Sequence, residues 1–167
     1  MFFNFLKSKP TLKELIPKGF VDIHSHILPG IDDGAKNIEE SLKLISEMKK
    51  LGFSKIIATP HTYPGLYDND NESIINSFNQ INHQSPISLA CASEYMIDVS
   101  LIKKAEKREL LCLKDQNVLI ESNFLYLPEY FHEVIFQLQH YGYTPILAHP
   151  ERYIFLSDNF QNFYKMK

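Results

Sequence analysis

The sequence predicts an α/β fold: a TIM-like β/α barrel, apparent over about five βα units. Three observations predict it. Short apolar runs of strand composition alternate with stretches of helical periodicity along the chain. The runs are continuous rather than alternating, as expected of parallel strands covered on both faces. Each run also leads into a histidine or glutamate, at intervals of 37, 33, 27 and 28 residues, about the length of one unit each time.

The elements follow in order. Residues 1–19 are a lead-in, in which Thr11 to Ile16 carry one or two helical turns ended by Pro17 and Gly19. The first strand is Phe20 to His24. A turn-rich loop, Pro29-Gly30-Ile31-Asp32-Asp33-Gly34, follows it. Asn37 stands at a helix N-cap with Glu39 and Glu40 in the first turn, Ile38, Leu42, Ile45 and Met48 recur at helical spacing, and Gly52 supplies the stop. The second strand, Lys55 to Thr59, runs into Pro60-His61. A helix with Ile74, Ile75, Phe78 and Ile81 on one face comes next. The third strand, Ser88 to Ser93, ends in Glu94, and a short helix spans Val99 to Glu109. The fourth strand, Asn117 to Ile120, ends in Glu121. Pro128 opens a helix with Phe131, Val134, Ile135 and Leu138 inward, closed by Gly142. The fifth strand, Thr144 to Ala148, ends in His149, and a final helix begins near Asp158.

Composition narrows the function classes. Hydrophobic residues make up 44% and charged residues 22% of 167, ordinary for a folded globular domain. The formal net charge of −3 argues against non-specific nucleic-acid binding, which needs a basic face. The two cysteines, Cys91 and Cys112, show no CxxC spacing and read as small buried hydrophobes. The N-terminal apolar run is too short for a signal h-region or a membrane span, so the expectation is a cytoplasmic protein without membrane insertion.

The strand ends carry the chemistry. In a β/α barrel the C-terminal strand ends meet at one mouth, so His24, His26, His61, Glu94, Glu121 and His149 converge there. His24 and His26 are two apart and share one face of an extended strand. Asp33, in the following loop, returns to the same mouth. Four imidazoles and three carboxylates favour Mn²⁺, Fe²⁺ or Zn²⁺ over Ca²⁺ or Mg²⁺. Seven ligands exceed one tetrahedral ion and suit two or three bridged ions, a device for displacement at phosphorus or hydrolysis. Arg152 follows His149 closely and suits bidentate capture of a phosphate. His83, His132 and His140 fall on or at the ends of helices and read as surface or packing residues.

The segments Phe20-Val21-Asp22-Ile23-His24-Ser25-His26-Ile27-Leu28-Pro29-Gly30-Ile31-Asp32-Asp33-Gly34, Ala58-Thr59-Pro60-His61 and Ala148-His149-Pro150-Glu151-Arg152-Tyr153 resemble the bacterial manganese-dependent tyrosine-protein phosphatases of capsular and exopolysaccharide synthesis. These belong to the PHP (polymerase and histidinol phosphatase) superfamily. The resemblance implies a PHP-type distorted β/α barrel with seven strands. It implies a metal-dependent phosphatase domain over residues 20–167, present in part. On this reading His24, His26, Asp33, His61, Glu94, Glu121 and His149 hold two or three Mn²⁺ ions, with Fe²⁺ or Zn²⁺ as alternatives. Arg152 binds phosphate, and Arg152 and Asp33 are the catalytic residues. The implied substrate is phosphotyrosine in the Tyr-rich tail of a bacterial tyrosine autokinase that controls polysaccharide export, and a homo-oligomer is compatible with it. The family's further Asp-x-His pair has no counterpart after Arg152, so the expectation is a barrel truncated after about five units. The rival readings are a PHP phosphoesterase acting on a small phosphorylated metabolite and a catalytically dead remnant.

Overall fold

The structure is a computed structural model that describes residues 9–157. Five parallel chain segments stand side by side in sequence order, but as two sheets rather than one. Strand β1 (Phe20–Ser25) pairs with β2 (Phe53–Ala58), and β2 with β4 (Ser88–Cys91). Strand β3 (His61–Thr62) pairs with β5 (Glu94–Met96), β5 with β6 (Asn117–Glu121), and β6 with β7 (Thr144–Leu147). The predicted second and third strands are therefore each broken in two. Pro60 has no N–H to give to a ladder, and it marks the first break. Hydrogen bonds from Ala92 N to Ala58 O (2.8 Å) and from Glu94 N to Pro60 O (3.0 Å) carry the wall across the joint. The buried hydroxyls of Thr62 and Ser93 bond each other there at 2.7 Å.

The helices follow the sequence expectations at the caps of the second, whereas the helix predicted over Val99 to Glu109 is shorter and the one predicted to open at Pro128 begins at Phe131. Helix α1 (Leu12–Leu15) is a single turn with a capping box between Thr11 and Glu14. Helix α2 (Ile38–Leu51) is capped by the Asn37 side chain, which accepts from Glu40 N, and stops at Gly52 with φ 112°. Helix α3 (Asn71–Asn82) buries Ile74, Ser77 and Ile81. It leaves Ile75 exposed, contrary to the predicted face, because the next residue lies about 100° around the helix. Ser77 fills that place, donating to Pro29 O. Helices α4 (Ser100–Glu106) and α5 (Phe131–His140) cover the second sheet, and α6 (Ile154–Ser157) follows a 3-10 turn at Pro150–Arg152. The helix predicted near Asp158 lies outside the described residues. None of the helices among the described residues is long and apolar enough to cross a membrane.

Two apolar clusters hold the wall. One joins Ile27, Leu28, Ile45, Ile56, Ile74 and Ile81 beneath the first sheet. The other joins Tyr95, Leu101, Val118, Ile120, Val134 and Leu138 beneath the second. Each fully buried aliphatic side chain contributes about 1.5–3 kcal/mol. The expectation that every strand is covered on both faces fails at β1, where Val21 and Ile23 are exposed. Strand β1 is an edge strand that pairs only with β2 among the described residues.

Candidate metal centre

Strand β1 delivers the first two donors. His24 lies in β1 and His26 just beyond it, with ring centroids 5.4 Å apart and Nε2 atoms 3.4 Å apart. The turn at Asp32-Asp33-Gly34 folds back onto them. Ala35 N donates to His26 O at 3.0 Å, which presses Gly34 against the same backbone. A Cβ at Gly34 would stand 2.0 Å from His26 O, so only glycine fits without a shift. The Asp32 side chain is fully buried. Its Oδ2 lies 2.7 Å from His26 Nδ1 and accepts from His61 N, and its Oδ1 accepts from Gly34 N. Asp33 stays on the rim, with Oδ1 3.6 Å from His61 Nε2 and 4.0 Å from His26 Nδ1.

Two of the other donors, His61 and Glu94, stand differently from the predicted strand ends, while Glu121 ends its strand as predicted. His61 and Glu94 begin β3 and β5, and they are register partners at the joint between the sheets. Glu121 is the last residue of β6. His149 lies beyond β7 in a left-handed conformation, φ 31°, which is uncommon for a residue with a side chain and turns the chain into the 3-10 segment. The buried Glu94 is the centre of the arrangement. Its Oε2 lies 3.0 Å from His24 Nε2, 3.2 Å from His26 Nε2 and 3.3 Å from His61 Nδ1, while Oε1 is hydrogen-bonded to His149 Nε2 at 2.9 Å. Glu121 Oε1 is 2.8 Å from His61 Nδ1 and Oε2 is 3.8 Å from His149 Nε2. Arg152 places its guanidinium 4.3 Å from the Phe124 ring centroid, within cation–π range.

The structure thus brings all the predicted site residues to one place. A cavity of about 280 Å³ is lined by His24, His26, Asp33, His61, Glu94, His149 and Arg152. Glu121 lines the adjoining cavity. The exposed His83, His132 and His140 stay outside both. Cys91 and Cys112 are free and half-buried, and burial raises both thiols. Sequence reasoning passed over three residues. Asp32 was hidden behind Asp33 in the same turn. Tyr153 is buried behind His149, its hydroxyl accepting from Ser122 N, and burial pushes it up to about 12. Tyr67 stacks on His61 with centroids 5.4 Å apart and planes 10° from parallel. Tyr153 closes the Ala148 to Tyr153 segment already singled out, whereas no local sequence signal marks Tyr67.

The electrostatics favour a bound cation. Burial opposes charge on His26, Asp32, His61 and Glu94. Even so, the imidazoles hold Glu94 well below the usual carboxylate range, and Asp32 and Glu94 overcome burial to raise His26 to about 10. Burial lowers His61, and the neighbouring Glu121 more than reverses it. His61 Nδ1, Glu94 Oε2, Glu121 Oε1 and His149 Nδ1 are buried without an aligned hydrogen bond. Donor atoms this close, yet not aligned as donor and acceptor, fit a shared cation better than a hydrogen-bond network. Three groups have ligand atoms within 4.8 Å of one another, His24-Glu94-His149, His26-His61-Glu94 and His26-Asp32-Asp33, and Glu94 belongs to the first two. The residues fit cation binding, with the Glu94 carboxylate common to two of the candidate groups.

Comparison with known proteins agrees in extent and in fold. Residues 20–167 match the model of a family described as capsular polysaccharide synthesis, CpsB/CapC. The tyrosine-protein phosphatase YwqE of Bacillus subtilis is 36% identical over 138 residues, 79% of this chain and 54% of that protein. The tyrosine-protein phosphatase CpsB of Streptococcus pneumoniae is 32% identical over 145 residues, 83% of this chain and 60% of that protein. A crystal structure from work on these two proteins, described as unique metal-dependent tyrosine phosphatases, matches with a TM-score of 0.79 at 34% identity, covering 87% of this chain and 62% of that one. The chain spans little more than half the length of these curated relatives.

Proposed function

The chain belongs to the capsular polysaccharide synthesis family CpsB/CapC, and on that premise we propose that it serves in metal-dependent hydrolysis of phosphotyrosine on a protein. The observation that carries this reading is the buried Glu94 carboxylate, with three imidazole nitrogens within 3.3 Å of one oxygen and Arg152 on the same cavity. His24, Glu94 and His149 would hold one cation, and His26, His61 and Glu94 a second, with Asp33 and Glu121 beside it. Bound divalent ions supply Lewis-acid polarisation of phosphoryl oxygens and a water of lowered pKa. Manganese is the proposed metal, on the resemblance of the His24 to Gly34 segment.

The chain's own residues have separable tasks. Arg152 binds the phosphoryl oxygens and balances charge that grows during displacement. Phe124 supports the guanidinium from one face. Asp33, exposed on the rim, faces the phosphate side of the cavity and is the proposed second catalytic group. Asp32 orients His26 and ties it to the His61 backbone. The leaving phenol, with a pKa of about 10, departs more readily than an alkyl alcohol. No thiol takes part.

The finer features are part of the same proposal. Residues 20–167 form part of a PHP-type distorted β/α barrel, after a lead-in of residues 1–19. The substrate is a phosphotyrosine protein, a bacterial tyrosine kinase by resemblance, in the cytoplasm. The test is manganese-dependent phosphate release from a phosphotyrosine peptide by the 167-residue chain, with His61→Ala as control. Release that stops with a chelator and in His61→Ala, and persists after thiol alkylation, is the expected outcome. Release that survives chelation, or no release at saturating manganese, would overturn the proposal.

A further inference from the structure

The cavity at the metal centre opens sideways into a groove. A second cavity of about 250 Å³ shares Asp33, His61 and Arg152 with it, but its other walls include Tyr63, Leu66, Tyr67, Met96 and Phe124. A third cavity, of about 140 Å³, shares Tyr63, Met96 and Asn123 with the second and continues between Pro64, Tyr126 and Tyr130. The chemistry along this line changes from charged to aromatic. The wall is also built rather than loose. Tyr63 and Tyr67 exchange backbone hydrogen bonds at 2.9 and 2.8 Å across a tight turn. The Asn69 side chain pins that turn by donating to Ile31 O and His61 O. Leu66, Tyr126 and Tyr130 are nevertheless held 40–61% exposed around the opening.

We propose that this groove is the recognition track of the substrate. The near compartment takes the aryl ring of the phosphate ester, and the far compartment takes the peptide residue next to it. The inference rests on the phosphatase reading and deepens it. A phosphoryl group at Arg152 and Asp33 has its ester oxygen and leaving group directed into the cavity that shares those residues. Aromatic and thioether walls there suit a ring, through area burial and offset or edge contacts. A small alkyl phosphate has nothing to bury against them. Solvent-held apolar side chains around a concave site mark a surface that meets a partner. Asp98 is the one charged residue lining the far compartment among the described residues, so an acidic neighbour is disfavoured there.

Calorimetric titration of the manganese-loaded 167-residue chain, with released phosphate measured in the same samples, tests this. The ligands are O-phosphotyrosine, O-phosphoserine and a phosphotyrosine pentapeptide with uncharged flanks. Phosphotyrosine should bind at least about tenfold more tightly than phosphoserine, the scale of one well-filled apolar subsite. The rim variant Leu66→Ser should weaken both phosphotyrosine ligands about threefold to tenfold and leave phosphoserine unchanged. Tyr130→Ser should weaken only the peptide. Equal binding of the two amino acids, binding of neither, or variants that shift all three ligands alike would overturn the groove. Aryl preference without any phosphate release would leave the groove standing and sink the phosphatase reading. Turnover without aryl preference would do the reverse.

Discussion

The two sides of the metal centre are built on opposite principles. On the β1 side, the Asp32 carboxylate holds His26, Gly34 and the His61 backbone in one hydrogen-bonded knot. On the β6–β7 side, Glu121 Oε1, Ser122 Oγ and His149 Nδ1 are buried without a hydrogen-bond partner. The first side is oriented by the protein itself. The second holds buried polar atoms that no aligned hydrogen bond within the chain satisfies. On the proposed two-cation reading such a division is workable: one side is preset, and the other would be completed on binding.

The largest effect is expected at the atom common to both sides. Glu94→Gln removes the charge faced by four imidazoles, and breaking such a buried set costs about 3–5 kcal/mol. The variant should retain no manganese after gel filtration, measured by plasma emission. Retention of the wild-type amount would mean that Glu94 does not bridge. Asp32→Asn strikes the preset side alone. Manganese affinity should fall about 10–100-fold, the usual scale for a residue that orients a metal-bound histidine. Calorimetry reads it directly, and an unchanged affinity would erase the contrast. Ser122→Ala probes the other side and should be the mildest. Removing a buried hydroxyl that has no partner should leave unfolding free energy unchanged or raise it by up to about 1 kcal/mol. Urea unfolding that showed a clear loss would mean that Ser122 is bonded and that this side is preset as well.

Much of the centre was legible because its donors repeat with the βα unit. His24 and His26 share a strand face by period alone, and the caps at Asn37 and Gly52 are local signals that the structure repeats. The joint between the sheets was not legible. Both His61 and Glu94 open new strands, and this follows from hydrogen bonds between distant segments, such as Glu94 N to Pro60 O. Nothing local in the turn separates Asp32 from Asp33. Only the fold, by burying Asp32 beneath His26, separated their roles.

The sequence by itself determined which residue types stand near the ends of successive units, and with them a mixed nitrogen and oxygen donor set and an arginine. Those depend on spacing and composition, which act along the chain. Tertiary structure alone decided that Glu94 is common to two candidate ligand groups, that His149 turns through a left-handed conformation, and that Tyr63, Met96 and Tyr130 line one groove. These depend on contacts between segments far apart in sequence. Such contacts exist only once the two apolar clusters have closed beneath the wall.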